Sequence, residues 1–340
     1  MIASTAALPA LTDWPARSRT PTVRSAEDLR TAFRAPPRPG RAIDLTQLDR
    51  VLRLEQRSGR IEIQPGASWS CLAAHLLHGG MEEARAFEGA ALAVLPGSVG
   101  ECLAGNCAMP DGSAFVRHVE SLTVVTADAE LRCVSRSRQP ELFAAVNGGH
   151  GLVAAAYSIT LRIESLATAF AGAECAVTLE GSEGLPRPPG AVMRLMVPPA
   201  RLGGFLGKLR LAFDDYRLPL DGLRVRKALP EAETTLRWAT EELAVVEVPF
   251  AEGGTLPARA ALAQIRRRLI AASLEHGGRF DLDTGFDASR EQVEAAYPMF
   301  SAFLAEHRRC DPQERLGGDW YLHYRALFGR GNCAVRWTQA

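Results

Sequence analysis

Lysine is almost missing from this chain. Of 39 basic residues only Lys208 and Lys227 are lysines, and arginine supplies the rest. GC-rich codon usage accounts for that bias more simply than a specialised anion-binding surface. Net charge is missing too, because 39 acidic residues balance the 39 basic ones. No overall field therefore draws the protein to nucleic acid or to an anionic membrane. Paired cysteines are absent: Cys71, Cys102, Cys107, Cys133, Cys175, Cys310 and Cys333 are an odd, scattered set. That is no disulfide framework and fits a reducing compartment. Cys102 and Cys107 stand closest, yet no second Cys or His pair completes a tetrahedral zinc site, so no metal site is expected. No apolar run approaches the roughly 20 residues that cross a bilayer. Met1–Arg17 lacks a basic start followed by an apolar core, so no signal peptide is expected and the reading is cytoplasmic.

What remains is an ordinary globular composition, with 340 residues, 47% apolar, 30 Gly and 21 Pro. Disorder, collagen and coiled coil are excluded, and the length suits two domains with separate cores. Residues 1–20 read as a loose arm. Ser25 caps a helix through Arg34, with Glu27 and Asp28 in its first turn and Leu29 and Phe33 facing inward. A proline-rich break at 35–40 follows. Arg41–Leu45 and Arg60–Gln64 read as short strands with a turn at Ser58-Gly59, and Ser68 opens a helix that stops at Gly79-Gly80. Leu92–Leu95 is a further short strand. Val119–Ala127 and Leu131–Val134 form a hairpin. Pro140–Val146 is helical, and Val153–Ile163 is a buried strand. From about residue 165 strands at 173–179, 191–197 and 244–248 alternate with helices. The clearest helix is 257–276; a second pair spans 289–309, broken by Pro298, and an aromatic tail segment follows at 320–324. The class is mixed α+β.

The stretch from Pro96 to Gly151 carries most of the chemistry. Small residues there let backbone approach a ligand closely, and exposed N–H groups in such turns can hold a pyrophosphate without lysine. Any single Gly-rich loop reads equally as a tight turn. The order of pieces is more specific: Leu95-Pro96-Gly97-Ser98-Val99-Gly100-Glu101-Cys102-Leu103-Ala104-Gly105-Asn106, Pro110-Asp111-Gly112, the run from His118 to Asp128, Glu141-Leu142-Phe143, then Gly148-Gly149-His150-Gly151-Leu152-Val153. Together they resemble the FAD-binding domain of the vanillyl-alcohol oxidase and p-cresol methylhydroxylase flavoproteins. The branch with aldonolactone oxidases and the decaprenylphosphoryl-ribose oxidase looks nearest.

That resemblance implies a two-lobed FAD-binding domain over 21–165 and a shortened substrate domain of antiparallel sheet and helices over 166–310. A segment at 311–340 would return to the first domain. It implies non-covalently held FAD and oxidation of an alcohol or sugar-like (lactone) substrate by hydride transfer to flavin. On matching positions Ser98, Val99, Gly100, Gly105 and Asn106 would line the pyrophosphate and ribose. Glu120 and Ser121, with Leu122, would lie near the adenine or the sheet beneath it. Gly149, Gly151 and Val153 would let the chain pass close to the dinucleotide.

The departures are equally informative. Seven residues, 35–41, with three prolines replace a strand and a glycine-rich phosphate loop, so the first half of the pyrophosphate clamp is absent, together with any histidine for covalent attachment. Arg38 and Arg41 are either substitutes for it or solvated. Glu101 adds negative charge where the family repeats glycine. No histidine accompanies Ala244–Phe250, and Glu247 is a base only if it turns inward with a raised pKa. His118 reads as structural, His150 as a ligand contact or a structural residue between glycines, and Cys107 as packing. Trp320, Tyr321 and Tyr324 read as core or as the border of the flavin site. Two functions stay open: an FAD-dependent oxidoreductase whose catalytic base is unassigned, or a degenerate relative that no longer binds flavin and acts as a binding or assembly protein.

Overall fold

Local signals set the first elements. Helix α1 (Ala26–Arg34) starts where the Ser25 hydroxyl accepts the Asp28 N–H, and it buries Leu29 and Phe33; such a cap contributes about 1 kcal/mol. The computed structural model describes residues 22–36, 42–87, 95–172, 177–178, 192–216, 218, 220, 222–250 and 256–329. The 1–20 arm, Arg38, Arg41, Leu92 and most of the 173–179 strand lie outside those residues, as does most of the 35–41 connector. Within them, the extension expected at Arg41–Leu45 does not develop: Asp44 makes a single bridge to Thr22. Its carboxylate takes both the N–H and the hydroxyl of Thr46, which turns the chain instead. The strand falls later, as β1 (Val51–Glu55), and pairs with β2 (Arg60–Ile63) across the turn at Gly59.

Helix α2 (Trp69–His78) follows its Ser68 cap. The small-residue run expected to be a loop instead forms helix α3 (Val99–Gly105), with Ser98 accepting the Glu101 N–H. Then come β3 (Val119–Thr126), β4 (Leu131–Ser135), α4 (Pro140–Val146), β5 (Ala154–Arg162) and α5 (Ile163–Ala171). The strands make one antiparallel sheet in the order β1-β2-β5-β3-β4. Among the described residues β5 contacts β2 only through Ile159–Arg162, so the edge of Ala154–Ala156 on that side has no strand neighbour there.

A second antiparallel sheet contains β6 (Val177–Thr178), β7 (Val192–Val197), β8 (Arg224–Ala228), β9 (Leu243–Pro249) and β10 (Arg279–Phe280), in the order β10-β7-β9-β8-β6. Between the strands run α6 (Leu202–Asp215) and α7 (Leu256–Glu275). Side chains alternate across a strand. Met193, Leu195 and Val197 are buried in the core that includes Ile265 and Leu269 of α7, while Arg194 and Met196 line a cavity against the first sheet's loops. Helices α8 (Arg290–Ala296), α9 (Phe300–Cys310) and α10 (Asp319–Phe328) follow. His307 of α9 bonds the Leu152 carbonyl at 2.7 Å, and Arg315 donates to the carbonyls of Phe33 and Ala35. The fold is mixed α+β, as the sequence predicts.

Candidate functional site

The turn joining α4 to β5 is built from backbone constraints. A Cβ on Gly149 would stand 2.0 Å from the Ala145 carbonyl oxygen, so only glycine fits there. His150 and Gly151 both take left-handed backbone, at φ 50° and 71°. Gly148 N–H donates to Leu103 O at 2.9 Å and His150 N–H to Ala104 O at 3.0 Å, which docks the turn onto α3. Asn106 ends α3 at φ 46°. Its Oδ1 accepts the Val116 N–H and its carbonyl accepts the Trp238 indole N–H, both at 2.8 Å.

Two cavities meet at this unit, sharing Glu101 and His150. The larger, about 520 Å³, runs along the open edge at Ala154–Ala156 and past Gly151, Ser98 and Gly100. Its charged lining is Asp44, Glu101 and His150, with no arginine or lysine among the described residues. The Thr46 hydroxyl and N–H hold the Asp44 carboxyl below its ordinary range. Several donors of the 97–102 turn are already used within the chain. Gly97 N–H and the Ser98 hydroxyl donate to the Glu101 carboxylate, Val99 N–H to Ala67 O, and Gly100 N–H to Pro65 O. Those amides therefore cannot also hold an anion without rearrangement.

The smaller cavity, about 80 Å³, lies between Gly105 and the second sheet. Register stacks Arg194, Glu247 and Arg224 side by side on its floor strands. Glu247 is 4% exposed and meets Arg226 at 2.9 Å, Arg194 at 3.5 Å and Arg224 at 3.6 Å. Burial alone would raise its carboxyl; the three guanidinium groups outweigh that and hold it below the usual range. The sequence admitted Glu247 as a base only with a raised pKa, and the structure overturns that: it is a fixed anion that orders arginines. Tyr297 is no better as a proton carrier. Burial pushes its phenol far up, and its hydroxyl donates to the Phe280 carbonyl at 2.6 Å.

His150 is different. Its Nδ1 lies 3.0 Å from Asp283, its ring stacks on Trp320 at 4.2 Å, and its Nε2 makes no hydrogen bond among the described residues. Burial opposes its protonation, but the charge of Asp283 prevails and raises its pKa; reciprocally, His150 outweighs burial to lower that of Asp283.

Ser98, Gly100 and Gly151 thus line the larger cavity and Gly105 the smaller. Val99, Asn106 and Val153 are buried, with Val153 also reaching a separate groove beside Phe303 and Cys310. Gly149 packs on α4. Glu120 and Ser121 stand apart in a shallow depression with Arg53 and Arg60, and Glu120 pairs with Arg60 at 2.9 Å. His118 is structural, bridged by the hydroxyls of Ser113 and Ser165 at 2.8 Å each. Trp320 borders the site through His150, whereas Tyr321 and Tyr324 are fully buried. The sequence reading missed Arg194, Arg226, Asp281, Asp283 and Trp238. The alternation Arg224-Val225-Arg226 and a lone Glu247 inside an apolar strand were the available signals.

Residues 4–135 match the family described as the FAD binding domain. No curated protein sequence matches the chain. Among solved structures, 6-hydroxy-D-nicotine oxidase from Arthrobacter nicotinovorans is similar, with TM-score 0.57 and 14% identity, covering 87% of this chain and 90% of that one. At that identity the likeness shows the fold alone. The family match over residues 4–135 supports FAD as the cofactor.

Proposed function

We propose that the chain is an FAD-dependent oxidoreductase that oxidises the C–OH of an alcohol or a sugar-like lactone, with the dinucleotide lying through both cavities. The carrying observation is a pair of adjoining cavities that share Glu101 and His150 in their linings. Its larger arm, about 520 Å³, falls in the range of about 300–1,000 Å³ usual for cofactor sites. Its walls fit the group as well: Gly151 leaves open space where a Cβ would intrude, and the unpaired edge of Ala154–Ala156 offers backbone donors and acceptors. Gly151 and Ala154–Ala156 would hold the adenosine half, and Gly105 would face the flavin half once the smaller cavity, about 80 Å³, widens. Bound FAD supplies the two-electron acceptor.

The protein's own residues orient and exclude. Arg194 and Arg226, locked by Glu247 and Asp281, make a rigid polar floor for the substrate end. Trp238 and Tyr297 close its sides against water.

One observation favours the second reading, a relative that keeps the fold without flavin: two carboxylates and no arginine or lysine line the larger arm among the described residues. The visible spectrum of the purified protein decides. Two flavin bands at about one flavin per chain, or stoichiometric uptake of added FAD, support the oxidoreductase. A colourless chain that takes up no FAD supports the binding or assembly protein. Substrate class then follows from anaerobic bleaching of the bound flavin by alcohols, lactones and amines in turn.

A further inference from the structure

The larger arm of the cleft poses an electrostatic problem. A dinucleotide carries two negative charges at its centre, yet Asp44 and Glu101 face the same space. Like charges at close range repel strongly where the effective dielectric is well below that of water. No arginine or lysine among the described residues lines this arm to offset it. The remaining cationic group is His150, and it stands where the two cavities join. In FAD the pyrophosphate joins the flavin half to the adenosine half, so the histidine and the phosphates occupy corresponding places along the cleft.

We propose that His150, oriented by Asp283 and Trp320, is the anion contact of the cleft and donates from Nε2 to the dinucleotide pyrophosphate only as imidazolium. The proposal rests on the cofactor reading above and extends it to a proton-linked mode of binding. Three constraints aim the ring. Its backbone is held at φ 50° by bonds to α3, Asp283 takes Nδ1 at 3.0 Å, and Trp320 packs on one face with rings within 16° of parallel. With Nδ1–H committed to Asp283, the neutral ring presents a lone pair at Nε2, which repels a phosphate oxygen. The protonated ring presents an N–H donor there. The change is therefore from acceptor to charge-assisted donor, and it persists even though Asp283 balances the ring's charge.

The groups facing His150 are Asp283 and Asp281 from the segment after β10, Glu101 from α3 and, beyond Asp283, Arg194 from β7. The carboxylates favour the imidazolium. Arg194 works against it, with its charge largely taken up by Asp281 at 2.9 Å and Glu247 at 3.5 Å.

The test is calorimetric titration of the full-length chain, stripped of flavin, with FAD, riboflavin and ADP-ribose between pH 6 and pH 9. A pyrophosphate diester stays doubly charged throughout, so any slope comes from the protein. FAD and ADP-ribose should weaken by about tenfold to a hundredfold as pH rises, the scale of one charge-assisted hydrogen bond. Riboflavin, which has no phosphate, should show no slope. His150→Asn, chosen because asparagine tolerates left-handed backbone, should bind FAD at every pH as weakly as the native chain does at pH 9. Asp283→Asn should keep the slope with its midpoint at lower pH. Equal slopes in the native chain and His150→Asn overturn the proposal, and so does a riboflavin slope matching that of FAD. No binding of any of the three at any pH brings down the cofactor reading and this inference with it. FAD binding that ignores pH removes the inference alone.

Discussion

The indole nitrogen of Trp238 donates to the carbonyl oxygen of Asn106 at 2.8 Å, tying the loop between β8 and β9 to the end of α3. Asn106 also holds the Val116 N–H through its side chain, in a left-handed conformation that asparagine tolerates. The residue expected to line the nucleotide is a joint between the two sheets. Asn106→Ala should cost about 2–3 kcal/mol in urea unfolding, because it orphans a buried N–H and strains the backbone. Asn106→Gly relieves the strain alone and should cost about 1–2 kcal/mol. A larger effect on FAD affinity than on stability would contradict this assignment.

Glu247 gives a second prediction. Replacing it by glutamine leaves Arg194, Arg224 and Arg226 facing one another without their shared anion. Breaking a buried pair costs about 3–5 kcal/mol; Arg194 and Arg224 keep partial solvent access, which brings the expected loss to about 2–3 kcal/mol. Because the folded state lowers its pKa, the stabilisation is complete above the ordinary carboxyl value of 4.5 and is lost as pH falls through the lowered one. Urea unfolding of Glu247→Gln should lack that acid limb.

His118 predicts a separate limb at higher pH. Burial, outweighing the pull of Asp111, lowers its pKa from 6.5 to about 4. The unfolded chain therefore binds a proton in that interval that the folded chain refuses, and stability falls as pH drops through it, by about 3 kcal/mol. His118→Asn should reduce the fall in unfolding free energy between pH 6.5 and pH 4.5, leaving the smaller part that comes from His307 and His323, whose pKa burial also lowers, and the limb below it.

Glu101 should oppose cofactor binding. Its carboxylate lines both cavities and holds the Gly97 N–H at 3.2 Å and the Ser98 hydroxyl. Glu101→Gln removes the charge with little change of shape, so FAD should bind several-fold more tightly at low ionic strength, and salt should narrow the difference. Unchanged affinity in titrations at low and high salt would show that the carboxylate swings clear of the ligand.

Ser25 and Ser68 each announced a helix start that the structure contains, because a cap needs only a hydroxyl three residues before an N–H. The run 257–276 marked α7, and the β-branched runs marked β3 and β5, since apolar spacing is fixed by the local geometry of helix and strand. The order of small residues from Pro96 to Gly151 pointed to the FAD-binding fold. These properties reside in neighbours along the chain, and the sequence determined them by itself. The cleft's chemistry does not reside there. Glu247 reads the same whether it is a free base or an anion under three arginines; only the register of β7, β8 and β9 brings those arginines to it. His150 is separated from Asp283 and Trp320 by more than a hundred residues, and only packing of the second sheet and α10 against the α4–β5 turn brings them together. Protonation and donor direction depend on distances of a few ångströms across elements remote in sequence, and the tertiary structure alone decides those.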